Sequence, residues 1–220
     1  MSTSDNAFLK PIESKKILAV EGKDDMNFFD VLLEDMNIRD CETRAVGGKN
    51  QFPIKFPLLL KAPGFFSTTG SPLVTHVGIV RDKDEMKKTE VFASIVNIVS
   101  GVGFEPPAVH SQFSNGTPKV GIFIMPGDLI DGEKLEALCL KTVENHEAMP
   151  CVNEFASCIS ALENSPKDIP KAKVQVFKAQ VFLAAQPEIV TSMGLGAKKR
   201  YWDFNSSALG ELKSFLNNLK

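Results

Sequence analysis

The sequence predicts an α/β fold: a mostly parallel, four-stranded sheet with helices on both faces, followed by a helical C-terminal elaboration. Three observations predict it. Short continuous apolar runs, the pattern of strands buried on both faces, alternate with apolar residues at helical spacing over residues 10–148. Each run stops at a turn rich in glycine, proline or acid, as strand ends in crossover folds do. Over residues 149–220 the strand pattern ceases while the helical one continues.

The elements follow in order. Ile17 to Val20 is the first apolar run. Met26, Phe28, Phe29, Leu32, Leu33 and Met36 then recur at helical spacing, with Asp24 as the expected N-cap. CETRAVGG reads as a second strand closed by a glycine turn. NQFPIKFPLLLKAPG reads as a short helix interrupted by Pro53 and Pro57 and ended before Pro63-Gly64. LVTHVGIVRD is the third strand, and Val91, Phe92, Ile95, Ile98, Val99 and Val102 line the helix after it. KVGIFIMPG is the fourth strand, stopped by Pro126-Gly127, before a helix carrying Leu135, Leu138, Cys139, Thr142 and Val143. The last third carries helical patterns: Val152, Phe155, Ile159 and Leu162, then Val176, Phe177, Val181 and Ala184. A final helix carries Leu209, Leu212, Phe215, Leu216 and Leu219, capped by Asn205 or Ser206. NSPKDIPKAK is the best linker within this region, which is expected to pack on the core as one unit.

Composition bounds the function. The chain has 220 residues, 43% of them hydrophobic, and a formal net charge of −2. No bulk positive field draws in nucleic acid, so such a partner needs a local basic patch or a metal-bridged contact. No apolar run is long enough to span a bilayer, and MSTSDNAFLK lacks the layout of a signal peptide, so a cytoplasmic protein without a membrane partner is expected. Cys41, Cys139, Cys151 and Cys158 form no CxxC pair and read as structural thiols, with Cys139 and Cys158 on apolar helix faces. His76, His110 and His146 are scattered and give a histidine-based metal site little support.

The acids are more informative. Glu21 ends the first strand, with Asp25 on the first turn of the next helix. Asp82 and Asp84 form a D-x-D after the third strand, and Asp128 follows the fourth. Right-handed crossovers place all these loops at one edge of a parallel sheet, where such sheets bind ligands. On an extended D-x-D the two side chains point the same way and can face one ion. Carboxylates brought together repel unless a cation sits among them, and hard oxygen donors suit Mg²⁺ or Mn²⁺. The plain alternative is that these acids are helix caps and solvated turns; Asp131 and Glu133 read as helix-start acids.

ILAVEGKDD and VGIVRDKDE together resemble the Toprim domain of bacterial primases, type IA and type II topoisomerases and OLD-family nucleases. The chain also resembles a small stand-alone, Toprim-like bacterial and archaeal family of unknown function, through MPGDLIDGEKLEALCL, PCVNEFASCI and GLGAKKRYWDFNSSALGELKSFL. The resemblance implies a Toprim-like, Rossmann-like core. It implies Glu21 as acid or base and metal contact, Asp82 and Asp84 as the metal pair, and Asp25 as the aspartate of an E-G-x-x-D form. Asp128 has no counterpart there and is a candidate ligand by placement alone. Lys198, with Lys199 and Arg200, stands where a basic group steadies phosphate in OLD-type sites; an exposed basic turn is the alternative.

Topoisomerases need a tyrosine nucleophile on another domain, and Tyr201 is the one tyrosine here; primases add a zinc module and a larger body. What remains is Mg²⁺-dependent phosphodiester hydrolysis on DNA or RNA, with Glu21 handling the proton. Two rivals stay open. One is a binding module that takes Mg²⁺ and a nucleotide, or pairs with a partner ATPase, without cutting. The other is a structural domain whose acids are caps. A dinucleotide site is disfavoured, since neither VGGKN nor SGVGF makes G-x-G-x-x-G between strand and helix.

Overall fold

Each of the four expected strands forms, and together they make one all-parallel sheet, ordered β2-β1-β3-β4. The computed structural model describes residues 9–162 and 171–220. Its elements are β1 (Lys16–Val20), α1 (Lys23–Asp35), β2 (Cys41–Ala45), α2 (Phe52–Leu59), β3 (His76–Asp82), α3 (Lys88–Gly101) and β4 (Lys119–Met125). After these come α4 (Leu135–Thr142), α5 (Met149–Ser160), α6 (Lys171–Ala184), α7 (Met193–Lys198) and α8 (Gly210–Leu216). The chain leaves β1 for β2 on one side and returns to β3 on the other, so the direction of winding reverses between β1 and β3. That reversal opens a crevice at the C-terminal ends of these two strands, the place where open α/β sheets take ligands.

Alternation along each strand splits the core in two. Leu18, Val20, Val80, Phe123 and Met125 face one side, against α1, α4, α6 and α8. Ile17, Ala19, Val77, Ile79, Ile122 and Ile124 face the other, against α2 and α3. Both faces are buried along β1, β3 and β4, which is why these three read as apolar runs. The first core also takes Phe182, Met193, Trp202, Leu212, Phe215 and Leu219, so the helical last third completes the sheet's own core. α2 tolerates Pro53 at its first turn but carries Pro57 internally.

Some expectations are corrected. Asp24 is not the N-cap of α1: Gly22 occupies that position, and Asp25 three residues on accepts the Gly22 N–H at 2.7 Å. Asp24 instead reaches α7, accepting from Ser192 Oγ at 2.5 Å and from the Gly194 N–H at 2.9 Å. A capping acid has been turned into a tertiary clamp because α7 presents unpaired donors beside it. Cys139 is buried as expected, but Cys158 is exposed on the outer face of α5, and Leu162 lies exposed beyond that helix. Ser206 caps a short 3₁₀ turn just ahead of α8. The linker expected over 164–173 falls outside the described residues as far as 170, and α6 begins at Lys171.

Gly194 shows how closely α7 sits on α1. A Cβ there would lie 2.3 Å from the Asp24 carbonyl oxygen and 2.6 Å from Asn27 Cβ. The first obstacle is backbone, so α7 itself must move. Gly194→Ala is therefore expected to cost about 1–3 kcal/mol of stability through overpacking, read as a lower urea midpoint at unchanged m-value.

Candidate functional site

The crevice between β1 and β3 gathers four of the five acids proposed as metal ligands. Glu21, just past β1, accepts from Arg81 Nε at 2.6 Å and from the Asp82 N–H at 3.2 Å through a single oxygen, Oε1. Arg81 is itself buried and lies over the Phe52 ring, 5.0 Å from its centroid. A buried guanidinium needs a counter-charge, and Glu21 supplies it. The other oxygen of Glu21 is roofed by the glycine turn after β2: a Cβ on Gly48 would stand 2.9 Å from Oε2. Gly47 takes φ +80, a left-handed conformation that glycine adopts freely, so the turn closes over the carboxylate without strain.

Asp82 points to the opposite face from Arg81, as alternation along β3 requires. Its Oδ1 accepts the Leu135 N–H at the start of α4, 3.2 Å away. Burial, and then the negative charges of Glu21, Asp25, Glu136 and Asp84, push its carboxyl well above the usual carboxylate range. Asp25, on the first turn of α1, is pushed up to about 6, by burial first and then by Glu21, Asp24 and Glu136, against the lowering effect of its Gly22 hydrogen bond. Each of the two thus feels Glu21 and Glu136. These carboxyls resist ionising together, the electrostatic signature of a crowded acidic site.

The D-x-D does not stay extended. β3 ends at Asp82, and Asp84 takes φ 52, which turns it out of the strand direction. The N–H groups of Lys83 and Asp84 both go to the Glu133 carbonyl, at 3.0 and 3.1 Å. Asp84 then pairs with Lys134 at 2.7 Å. The expectation that Asp82 and Asp84 face one ion from a common strand face is corrected accordingly: Asp84 stands at the rim. In the same loop, one buried carboxylate oxygen of Glu133 has no hydrogen-bond partner.

Asp128 belongs elsewhere. It sits past β4, on the far side of β3 from Glu21, in an ion pair with Lys88 and beside His110 and Glu211. Among the described residues, His110, Asp128 and Glu211 form the one trio whose ligand atoms approach within 4.8 Å of one another. The histidine's hydrogen bonding argues against a cation there. Its Nε2 accepts the Ile124 N–H at 2.8 Å, so the neutral ring carries its proton on Nδ1, the nitrogen 3.7 Å from both carboxylates. A metal on Nδ1 would displace that proton onto Nε2 and set two N–H groups against each other. Glu211 meanwhile takes the Asp128 N–H at 2.6 Å. The trio docks α8 onto the loop after β4, and Asp128 does not join the crevice acids.

The ammonium of Lys198 donates to Asn27 Oδ1 at 2.6 Å, while Lys199 pairs with Glu188 and Arg200 with Asp35. Lys198 and Arg200 brace the C-terminal segment against α1, while Lys199 pairs within that segment. Two residues of the crevice escape a reading of the sequence. Glu136 lies on a helix face that looks merely solvated, and nothing in its surroundings marks it. Arg81 carries a signal: a charge inside an otherwise apolar strand, followed directly by Asp82, demands a buried partner.

The donor set in the crevice is all oxygen. Burial first, and then acidic neighbours, push two of its carboxyls up, and an acceptor in the adjoining loop is unmet. Among the described residues no three of these acids bring ligand atoms within 4.8 Å of one another. Oxygen donors of this type suit a hard divalent cation. Asp82, Asp25 and Glu21 are the side chains that would hold it.

Comparison with known proteins gives the chain relatives but no activity. Residues 15–220 match the model of a family described as "Protein of unknown function (DUF3226)". No curated protein matches the chain. A solved structure, that of a hypothetical protein from Pyrococcus horikoshii OT3, is similar at 16% identity with a TM-score of 0.48, over 93% of this chain and 97% of that one. No membrane-crossing helix is found among the described residues.

Proposed function

The chain belongs to the family described as "Protein of unknown function (DUF3226)", and from its own geometry we propose that it is a Mg²⁺-dependent phosphodiesterase acting on nucleic acid through a Toprim-like acidic site. One observation carries the reading: Asp82 and Asp25, delivered by separate crossover units to the crevice between β1 and β3, are pushed up by burial and by shared acidic neighbours. A bound Mg²⁺ would relieve that repulsion and polarise a phosphate for attack by water. Asp82 and Asp25 would hold the cation. Glu21, anchored by Arg81 through one oxygen and leaving the other beneath the glycine turn, would contact the cation and accept the proton of the attacking water.

The test is cleavage of a panel of labelled DNA and RNA strands. Glu21→Gln is expected to lower Mg²⁺-dependent cutting by about 10²–10⁴-fold, the range for a removed general base. Asp128→Ala, outside the crevice, leaves it unchanged. Equal rates for wild type and Glu21→Gln would end the proposal.

A second reading is favoured by a different observation: each of the four candidate ligand acids at the crevice has an internal partner. Glu21 is paired with Arg81, Asp84 with Lys134, Asp82 with the start of α4 and Asp25 with Gly22. Such a site would bind a cation or partner without cutting. It differs from the first in one result, a Mg²⁺-dependent rise in melting temperature with no cleavage of any strand.

A further inference from the structure

Beside the crevice lies a cleft of about 520 Å³, lined by Lys49, Asp84, Glu85, Glu133, Lys134 and Lys173 among others. A smaller cavity adjoins it through Lys49, Asp84 and Met86 and reaches Arg81 and Asp82, so the cleft opens onto the acids. Its three lysines come from separate parts of the chain. Lys49 follows the glycine turn that roofs Glu21, Lys134 precedes α4, and Lys173 is on α6. Lys134 is committed to Asp84. Lys49 and Lys173 make no ion pair among the described residues.

We infer that this cleft is the substrate subsite, in which Lys49 and Lys173 grip the phosphates of one terminal nucleotide of a single strand and lead its end to Asp82. The inference rests on the phosphodiesterase reading above and names its substrate class. Three points carry it. Two ammonium groups without carboxylate partners converge on one cavity, and an ammonium is a point charge suited to phosphate. The cavity is of nucleotide size, within the several hundred Å³ usual for small-ligand sites and too confined for a duplex groove. The chain's net charge of −2 also gives it no bulk positive field to draw in a duplex. A strand end therefore meets these two lysines here, in a lining that also carries Asp84, Glu85 and Glu133, next to the crevice acids.

The test is fluorescence anisotropy with a 5′-fluorescein ten-nucleotide oligothymidylate and the full chain. It is run in EDTA and again in Ca²⁺, with the blunt duplex of the same length as competitor. Wild type is expected to bind the single strand and to prefer it over the duplex. The double variant Lys49→Ala/Lys173→Ala is expected to bind about tenfold more weakly, with the slope of log K against log salt reduced by about 1.4 for two lost single-strand phosphate contacts. Lys119→Ala, at the opposite end of the sheet, leaves both unchanged, and the arginine pair Lys49→Arg/Lys173→Arg restores binding. No binding by wild type in either condition, equal affinity for duplex, or an unchanged slope in a double variant that melts normally overturns the inference. Lysine-dependent binding with no cutting in Mg²⁺ would instead sink the phosphodiesterase reading and leave the subsite standing.

Discussion

Asp82→Asn is expected to abolish the response to Mg²⁺. The substitution keeps the shape of the side chain and an oxygen to accept the Leu135 N–H, so the start of α4 stays satisfied. What it removes is the charge at the centre of the acidic crevice. In wild type, Mg²⁺ at about a hundred times its Kd is expected to add roughly 2.7 kcal/mol to stability, so that a chain of this size melts about 5–10 °C higher. The Asp82→Asn protein is expected to lose that rise and to lose cleavage by about a thousandfold, or ~4 kcal/mol of transition-state stabilisation. Without metal, the variant is expected to melt at or above the wild-type temperature near pH 7, because it no longer forces a charge into a buried, negative site. A variant that melts lower without metal yet keeps its Mg²⁺ shift would show that Asp82 serves only as the cap of α4.

The second large effect is a pH dependence centred on Asp25. Its carboxyl is pushed up to about 6 from an ordinary value of 3.8. A folded-state value raised above the unfolded one means that the folded protein holds the proton longer. Stability from this group is therefore full below about pH 4 and is lost as pH rises through 6. The metal-free protein is expected to lose up to roughly 3 kcal/mol across that window, the equivalent of about two pKa units. Asp25→Asn removes the loss, at the cost of a weaker hydrogen bond to the Gly22 N–H. A net gain of about 1–3 kcal/mol is expected above pH 7 and little below pH 4, measured as urea midpoints across pH. In wild type the same titration works against the cation, so Mg²⁺ affinity is expected to fall as pH drops below 6. A Mg²⁺ affinity flat from pH 5 to 8 would remove Asp25 from the site.

The fold was legible in the sequence because its physics is local and repetitive. Ile17 to Val20, His76 to Asp82 and Lys119 to Met125 are strands buried on both faces, and each is followed by a helix whose apolar residues fall on one side. The crevice was legible in part: crossover geometry alone brings the loops after β1 and β3 together. What escaped depends on partners distant in sequence. Asp24 has the chemistry of an N-cap, yet α7, about 170 residues on, supplies better donors. Asp84 looks like the twin of Asp82 until φ 52 turns it toward Lys134. Asp128 shares the sheet edge, but β3 separates its strand from β1, and His110, Lys88 and Glu211 surround it. The same holds for Lys198, whose basic neighbours suggest phosphate while its own ammonium rests on Asn27.

The central claim is that the carboxyls at the winding reversal between β1 and β3 hold a divalent cation. Anomalous diffraction from crystals soaked in Mn²⁺ tests it most directly. The expected result is a peak in contact with Asp82, together with Asp25 or Glu21, that disappears in crystals of Asp82→Asn. A peak at His110, Asp128 and Glu211 instead, or none at the crevice with Mn²⁺ in excess, would contradict it.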